Sequence, residues 1–293
     1  MFVLKVENES GKTITLTQAE DRFQVVDIDG LNPPNANIRR SEVAGMDGSK
    51  YASSKLEERN MVLTIRINGD VELNRLTLYQ FFRTKHWCKL YYRNDSRDVY
   101  IEGWVETVEC DLFTMTETMQ VSIICPDPYF QSAEDIYTDI SQILGAFAFP
   151  FAFGAKGVIE PTITDQAIEF STYIKDRITT VYNSGADETG LIIRITATGA
   201  VVNPTIYKAT TREFITIKIT MQQNDVLTIN TNKGSKSVKL LRNGVITSQI
   251  NKIARDSTWL TLTSGDNLFI YEADSGSANM NIVFTHRTRY EGV

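Results

Sequence analysis

Apolar and polar residues alternate with a period of two through much of this chain, and that pattern commits it to a fold built on strands. Leu63, Ile65 and Ile67 interleave with Val62, Thr64 and Arg66, and Met119, Val121, Ile123 and Cys125 with Thr118, Gln120 and Ser122. The second half repeats the pattern at Leu191–Thr196, Ile215–Thr220 and Met280–Thr285. Turn-forming pairs separate these runs: Asn68-Gly69, Asn94-Asp95, Lys233-Gly234, Asn243-Gly244 and Ser264-Gly265. Short strands with frequent turns predict sandwiches or barrels rather than a parallel sheet.

One helix interrupts the pattern. Asp70 is placed to accept from the free N–H groups of a first turn, and Glu72 suits the positive end of a helix dipole. Leu73, Leu76, Tyr79 and Phe82 then recur at helical spacing, predicting an apolar stripe packed on a sheet.

The chain has 293 residues, long for one core and sufficient for two. A boundary is expected near residues 131–145. Pro126 and Pro128 end a strand there, because neither has an N–H for a ladder, and the polar segment Gln131–Gln142 reads as a connector. This gives a first domain over 1–135 and a second over 136–293. A second irregular region runs from Asn32-Pro33-Pro34 to about Asn60 and contains Gly45-Met46-Asp47-Gly48. A stretch this long inside a compact domain is unusual unless functional or disordered. It reads either as an extended arm or hairpin that packs on a neighbour, or as a mobile surface loop.

Function classes fall away in turn. A net charge of −6 with no Lys/Arg block argues against a nucleic-acid partner, which needs cations to neutralise phosphates. No apolar stretch reaches the roughly 20 residues of a membrane-spanning helix; the longest, Ile143–Phe153, is broken by Gly145 and Pro150. Met1–Val6 runs straight into polar residues, so no secretory leader is read there. Cys88, Cys110 and Cys125 are an odd, widely spaced set, which predicts free thiols in a reducing cytosol rather than disulfides or a zinc site. His86 and His286 are the only histidines, and each reads as structural or exposed. There is no G-x-S-x-G elbow, phosphate loop or H-E-x-x-H, so neither an enzyme nor a cofactor or metal site is expected. Sugar binding is a rival reading, since Trp87, Trp104 and Trp259 could stack on sugars. Trp104 and Trp259 sit in strand-like contexts that favour a place in the core. A cell-wall hydrolase is a further alternative.

The order of features resembles the distal tail (Dit) proteins of long-tailed bacteriophages. In the first half, the charged arm with Gly45-Met46-Asp47-Gly48 precedes Met61-Val62-Leu63-Thr64-Ile65 and the capped helix. Cys88-Lys89-Leu90-Tyr91-Tyr92 and Pro126-Asp127-Pro128-Tyr129-Phe130 follow. In the second half come Gly190-Leu191-Ile192-Ile193, Asn203-Pro204-Thr205-Ile206-Tyr207, Asn224–Thr231, Leu262–Asn267 and Arg289-Tyr290-Glu291-Gly292-Val293. The resemblance implies a mainly β chain: an N-terminal ring-forming domain with one helix and an extended arm, then a C-terminal galectin-like β-sandwich. It further implies a homo-hexamer at the virion tail tip, made in the host cytoplasm. Its partners would be the major tail protein, a tail-associated hub protein and receptor-binding or baseplate proteins, with no nucleic acid or membrane contacted. The arm would clasp the neighbouring protomer, making Arg39, Arg40, Glu42, Met46 and Asp47 the interface candidates.

Overall fold

The computed structural model describes residues 2–19, 22–42, 44–45, 47–111, 116–139 and 178–293. In the first half, strands β1 (Val3–Asn8), β2 (Thr13–Thr17), β3 (Phe23–Asp29), β6 (Arg59–Ile67), β7 (Trp87–Arg93), β8 (Asp98–Cys110) and β9 (Thr118–Cys125) carry one sheet. Their order is β8–β7–β1–β2–β3–β6–β9, and β9 pairs back onto β8, so the sheet closes into a barrel. Closure removes the unpaired edges that an open sheet would expose. The period-two residues explain the interior. Met61, Leu63, Ile65 and Ile67 of β6 point inward, as do Val121 and Ile123 of β9, Leu90 of β7, Ile101 of β8 and Leu4 of β1. Each such side chain contributes about 1.5–3 kcal/mol by leaving water. Gly103 lies opposite Cys88 in this interior. A Cβ there would meet Cys125 Sγ, Ile123 Cγ2 and the Ile124 carbonyl oxygen, each at 2.7 Å.

Between β6 and β7 lies the helix α1 (Val71–Phe81), capped as expected by Asp70, whose Oδ1 accepts from the Leu73 N–H at 3.2 Å. The expected stripe is only half right. Leu78 and Phe82 are buried, together with the polar Asn74, whereas Leu73 and Leu76 face solvent. Asn74 takes the inward position because Asn68 and Arg22 supply its partners: its Nδ2 donates to the Asn68 carbonyl at 2.6 Å, and the Arg22 guanidinium donates to its Oδ1.

The segment between β3 and β6 is a hairpin, β4 (Ala36–Ser41) and β5 (Lys50–Leu56), which pair with each other and with no other described strand.

The second half builds two facing sheets. One has the order β11–β22–β13–β18–β19–β20, from β11 (Ile136–Asp139), β22 (Met280–His286), β13 (Ile192–Ala197), β18 (Val226–Asn230), β19 (Ser237–Arg242) and β20 (Val245–Ser248). The other is β12–β21–β15–β16, from β12 (Ile178–Asn183), β21 (Gly265–Glu272), β15 (Thr205–Lys208) and β16 (Glu213–Thr216). Their inner faces share one core, and Phe269 of β21 stacks on Phe284 of β22 at 4.9 Å between ring centroids. Asn243 and Gly244, both at positive φ, form the two-residue turn from β19 to β20 that right-handed strand twist favours. The alternation over Ile215–Thr220 does not give one strand. β16 stops at Thr216, and Thr220 and Met221 form β17, which pairs with β14 (Val201–Val202). In between, the Ile217 N–H is bound by the Pro204 carbonyl and the Lys218 N–H by the Lys252 carbonyl.

Residues 131–139 are not a plain connector. β10 (Phe130–Ser132) pairs with Val99 and Tyr100 of β8, and β11 pairs with β22. Both are short strands whose partners lie far away in sequence, so local composition could not reveal them. β23 (Arg289–Tyr290) then pairs with β10, returning the second half of the chain to the barrel sheet. Tyr290 and Val293 pack against the barrel core there. The apolar run 143–153 and the end of the expected boundary, 140–145, lie outside the described residues.

Candidate assembly surfaces

The β4–β5 ribbon carries four of the five interface candidates. Arg39 and Arg40 are in β4, Glu42 follows it and Asp47 precedes β5, all exposed; Met46 lies outside the described residues. Ala36 pairs with Leu56 and Ile38 with Ser54, but a register shift after Arg39 sets Arg40 opposite Tyr51. Such a bulge re-aims a side chain. Here it turns Tyr51 to the face of Ile38, and the Tyr51 hydroxyl lies 2.8 Å from Ser54 Oγ on that face. The ribbon therefore has an apolar face of Ala36, Ile38, Tyr51 and Leu56 that also holds Arg40. Its other face is polar and basic, with Arg39, Lys50 and Lys55. Ile38 is 54% exposed and Tyr51 67%. The sequence does not reveal this apolar face, because a single Ile and a single Tyr among polar neighbours give no periodic signal until the bulge brings them together.

Arg59, the first residue of β6, anchors the ribbon base. Its Nη1 donates to the carbonyls of Gly30 and Asn32 (the latter at 2.6 Å), its Nε to the Pro128 carbonyl at 2.8 Å, and its Nη2 to the Glu291 carbonyl. The guanidinium also stacks 4.6 Å from the Phe130 ring centroid. One buried cation thus joins the ribbon root, the barrel exit and the returning strand. Burial lowers its pKa from the ordinary arginine value, with partial compensation from the charge at Glu291.

Two more arginines clamp the same junction. Arg289 in β23 donates to both carboxylate oxygens of Asp127, at 2.6 and 2.7 Å. Arg287 binds Asp135 at 2.6 Å and donates to the Tyr100 hydroxyl, which donates to Gln131 Oε1 at 2.7 Å. Lys89 places its ammonium 3.7 Å from the centroid of the Tyr100 ring. A cleft of about 1140 Å³ opens beside these groups, lined among others by Lys55, Tyr129, Glu188, Lys233 and Lys236.

The remaining expectations divide. Cys88 and Cys125 are buried free thiols, and burial pushes both up to about 12, leaving them protonated and unreactive. Cys110 is also free. His286 is buried and His86 pairs with Glu9 at 2.5 Å. Among the described residues no cluster of His, Cys, Asp and Glu could hold a metal, and no helix is long and apolar enough to cross a membrane. Trp259 packs against the sandwich core with Lys236 over its ring. Trp104 departs from expectation: it is 47% exposed, because its β8 neighbours Gly103 and Val105 take the inward positions.

The described residues thus form a closed barrel that carries the β4–β5 ribbon and is tied to the second-half sheets through β23, Arg287 and Arg289. Residues 9–125 match the family described as phage tail protein RIFT-related domain, and residues 184–290 the siphovirus-type tail component, C-terminal domain. No curated protein matches the chain in sequence. Among solved structures it is similar to the Dit protein of phage SPP1, described as a paradigm of the hub adsorption apparatus in phages infecting Gram-positive bacteria. That match has 13% identity, covers 98% of each chain and has a TM-score of 0.69. It is also similar to chains of the phage P2 baseplate in its activated conformation, with calcium (10% identity, 100% of each chain, TM-score 0.53) and with strontium (10%, 100%, 0.55). The chain is thus a phage tail component. It belongs to the siphophage distal tail protein (Dit) family.

Proposed function

We propose that this chain is a non-catalytic structural subunit. It closes with identical copies into a hexameric ring at the tail tip, joining the tail tube to the tail-tip hub and the receptor-binding apparatus. A ring needs heterologous contacts, one patch on each copy meeting a different patch on the next. The observation that carries this reading is the ribbon: two strands paired with each other and with no other described strand, with Ile38 and Tyr51 exposed. Strands of six and seven residues reach roughly 20 Å from the barrel, far enough to lie on a neighbour. Arg39, Arg40, Glu42, Met46 and Asp47 belong to this contact. The chain divides into a ring-forming unit over 1–135 and a galectin-like unit over 136–293, which turns outward to the host-attachment proteins.

Light scattering and negative-stain microscopy of the purified chain test the reading. Six-fold rings are expected, and deletion of Arg39–Ser54 should abolish them while leaving the chain folded. A strictly single-chain species at high concentration would refute it.

A further inference from the structure

The sandwich leaves one strand edge open. β20 ends the six-stranded sheet, and β19 is the one described strand it pairs with. The Gln249 N–H donates to the Val238 carbonyl at 2.8 Å, and backbone groups alternate along a strand, so Val245 and Thr247 also turn theirs to β19. Ile246 and Ser248 therefore point an N–H and a C=O each away from the sheet, and no described residue takes them up. The facing sheet is treated differently. There the chain that follows β20 covers β16, with the Ala254 N–H donating to the Thr216 carbonyl at 2.9 Å and the Thr258 N–H to the Phe214 carbonyl at 2.8 Å. Edge strands are ordinarily guarded by Lys, Pro or a bulge. Val245-Ile246-Thr247-Ser248 has none of these, and Val245 and Ile246 are 61% and 66% exposed.

Cations surround this edge. Ser248 pairs with Lys239 across the sheet. Lys252 and Arg255 lie in the crossing that follows, where the Lys252 carbonyl accepts from the Lys218 N–H at 2.8 Å. Lys218, Lys239, Lys252 and Arg255 are exposed, and none forms an ion pair with a described residue. Asp256 is the one carboxylate in the crossing 249–258, and Asp225, before β18, is buried and already bound by Arg242 at 2.6 Å. On the outer face of the sheet, Ile246 continues a cross-strand row from the half-buried Val226 and Leu241.

We propose that β20 docks an extended acidic segment of a partner protein, added to the six-stranded sheet as a further strand. The backbone of that segment pairs with Ile246 and Ser248. Its apolar side chains lie on Val245, Ile246 and Leu241, and its carboxylates meet Lys239, Lys252, Arg255 and Lys218. Main-chain bonds give such a strand its affinity, and the flanking side chains its specificity. A second copy of this chain is a poor occupant, because β20 against β20 would set the same cations against one another. A polyanion without a strand-forming backbone would leave the outward N–H and C=O groups unused. The inference does not depend on ring closure, since each chain carries the whole edge.

The probe is a capped peptide alternating glutamate with valine, about ten residues long, added to the full chain. Fluorescence anisotropy of the labelled peptide should show saturable binding, and hydrogen exchange should slow at the Ile246 and Ser248 amides. The same peptide with lysine in place of glutamate should bind roughly tenfold more weakly or worse. Ser248→Pro removes an outward N–H and leaves the β19 ladder intact, so it should weaken binding of the glutamate peptide while the urea midpoint holds. K239E with K252E should exchange the preference, so that the lysine peptide binds better than the glutamate one. Equal binding of the two peptides to the parent chain, or binding of neither, overturns the proposal. Binding indifferent to Ser248→Pro overturns it as well, since the cations alone would then attract the peptide. Should Ser248→Pro fail to fold, the exchange of preference decides: the proposal stands if the preference swaps and falls if it does not.

Discussion

Arg289 and Asp127 stand 162 positions apart, yet the Arg289 guanidinium binds both oxygens of the Asp127 carboxylate, at 2.6 and 2.7 Å. The pair closes the chain on itself where it leaves the barrel, and Arg289 also stacks 4.2 Å from the centroid of the Tyr129 ring. The proline-rich exit from β9 is therefore gripped from the far end of the sequence rather than left as a loose linker. Asp127→Ala should cost only about 1 kcal/mol of stability, because its carboxylate is half exposed. Hydrogen exchange should nonetheless show faster opening of β10 and β23. Unchanged protection there would show that the clamp does not hold the junction.

Arg59→Met should be far more damaging. The substitution keeps the stem over Phe130 but leaves the carbonyls of Gly30, Asn32, Pro128 and Glu291 without the donor they share. Unsatisfied buried acceptors cost about 1–3 kcal/mol each, and water entry will relieve some of them, so a net loss of about 3 kcal/mol is expected in urea unfolding. The same variant should loosen the ribbon root, seen as proteolytic cutting near residues 30–35.

Gly103→Ala tests the barrel interior. The new methyl would stand 2.7 Å from Cys125 Sγ and from the Ile124 carbonyl oxygen, and backbone cannot yield as a side-chain tip can. Thermal unfolding should report a loss of about 1–3 kcal/mol. Adding Cys125→Ala should recover part of it.

His286 supplies a pH dependence. Burial depresses its pKa below the ordinary histidine value of 6.5, opposed by a weaker backbone contribution from Tyr182. The unfolded chain then binds the proton more readily than the folded one. The stability from the neutral buried ring is fully present above about pH 6.5 and is lost as pH falls through the depressed folded value. His286→Phe should flatten the urea-midpoint profile in that window. An equally steep profile in the variant would place the titration elsewhere.

Asp225 works with the same sign at lower pH. The Arg242 guanidinium, bound to it at 2.6 Å, holds its carboxyl below the usual range, assisted by the Gln222 N–H at 2.7 Å. Its contribution is complete above the ordinary aspartate pKa and fades as pH drops through the lowered one. Asp225→Asn should cost about 1–3 kcal/mol at neutral pH in urea unfolding, and less in acid.

Strand periodicity needs only neighbouring residues, so the sequence alone determined that β6, β9, β13 and β22 are strands and which of their faces is buried. The Asp70 cap, the Asn243-Gly244 turn and the free thiols were legible for the same local reason. Tertiary structure decided what depends on distant partners. Asn74 rather than Leu76 faces the barrel because Asn68 and Arg22 satisfy its amide. The short strands β10, β11 and β23 exist because of partners as much as 160 residues away. Tyr51 joins Ile38 only through a bulge that shifts register by one residue, and Trp104 is exposed because closure of the barrel assigned Gly103 to the inside. A charge-bearing ribbon was readable as an interface candidate. The exposed carboxylates that β3 and β8 bring to one side of the barrel were not, since those strands come together only when the sheet closes.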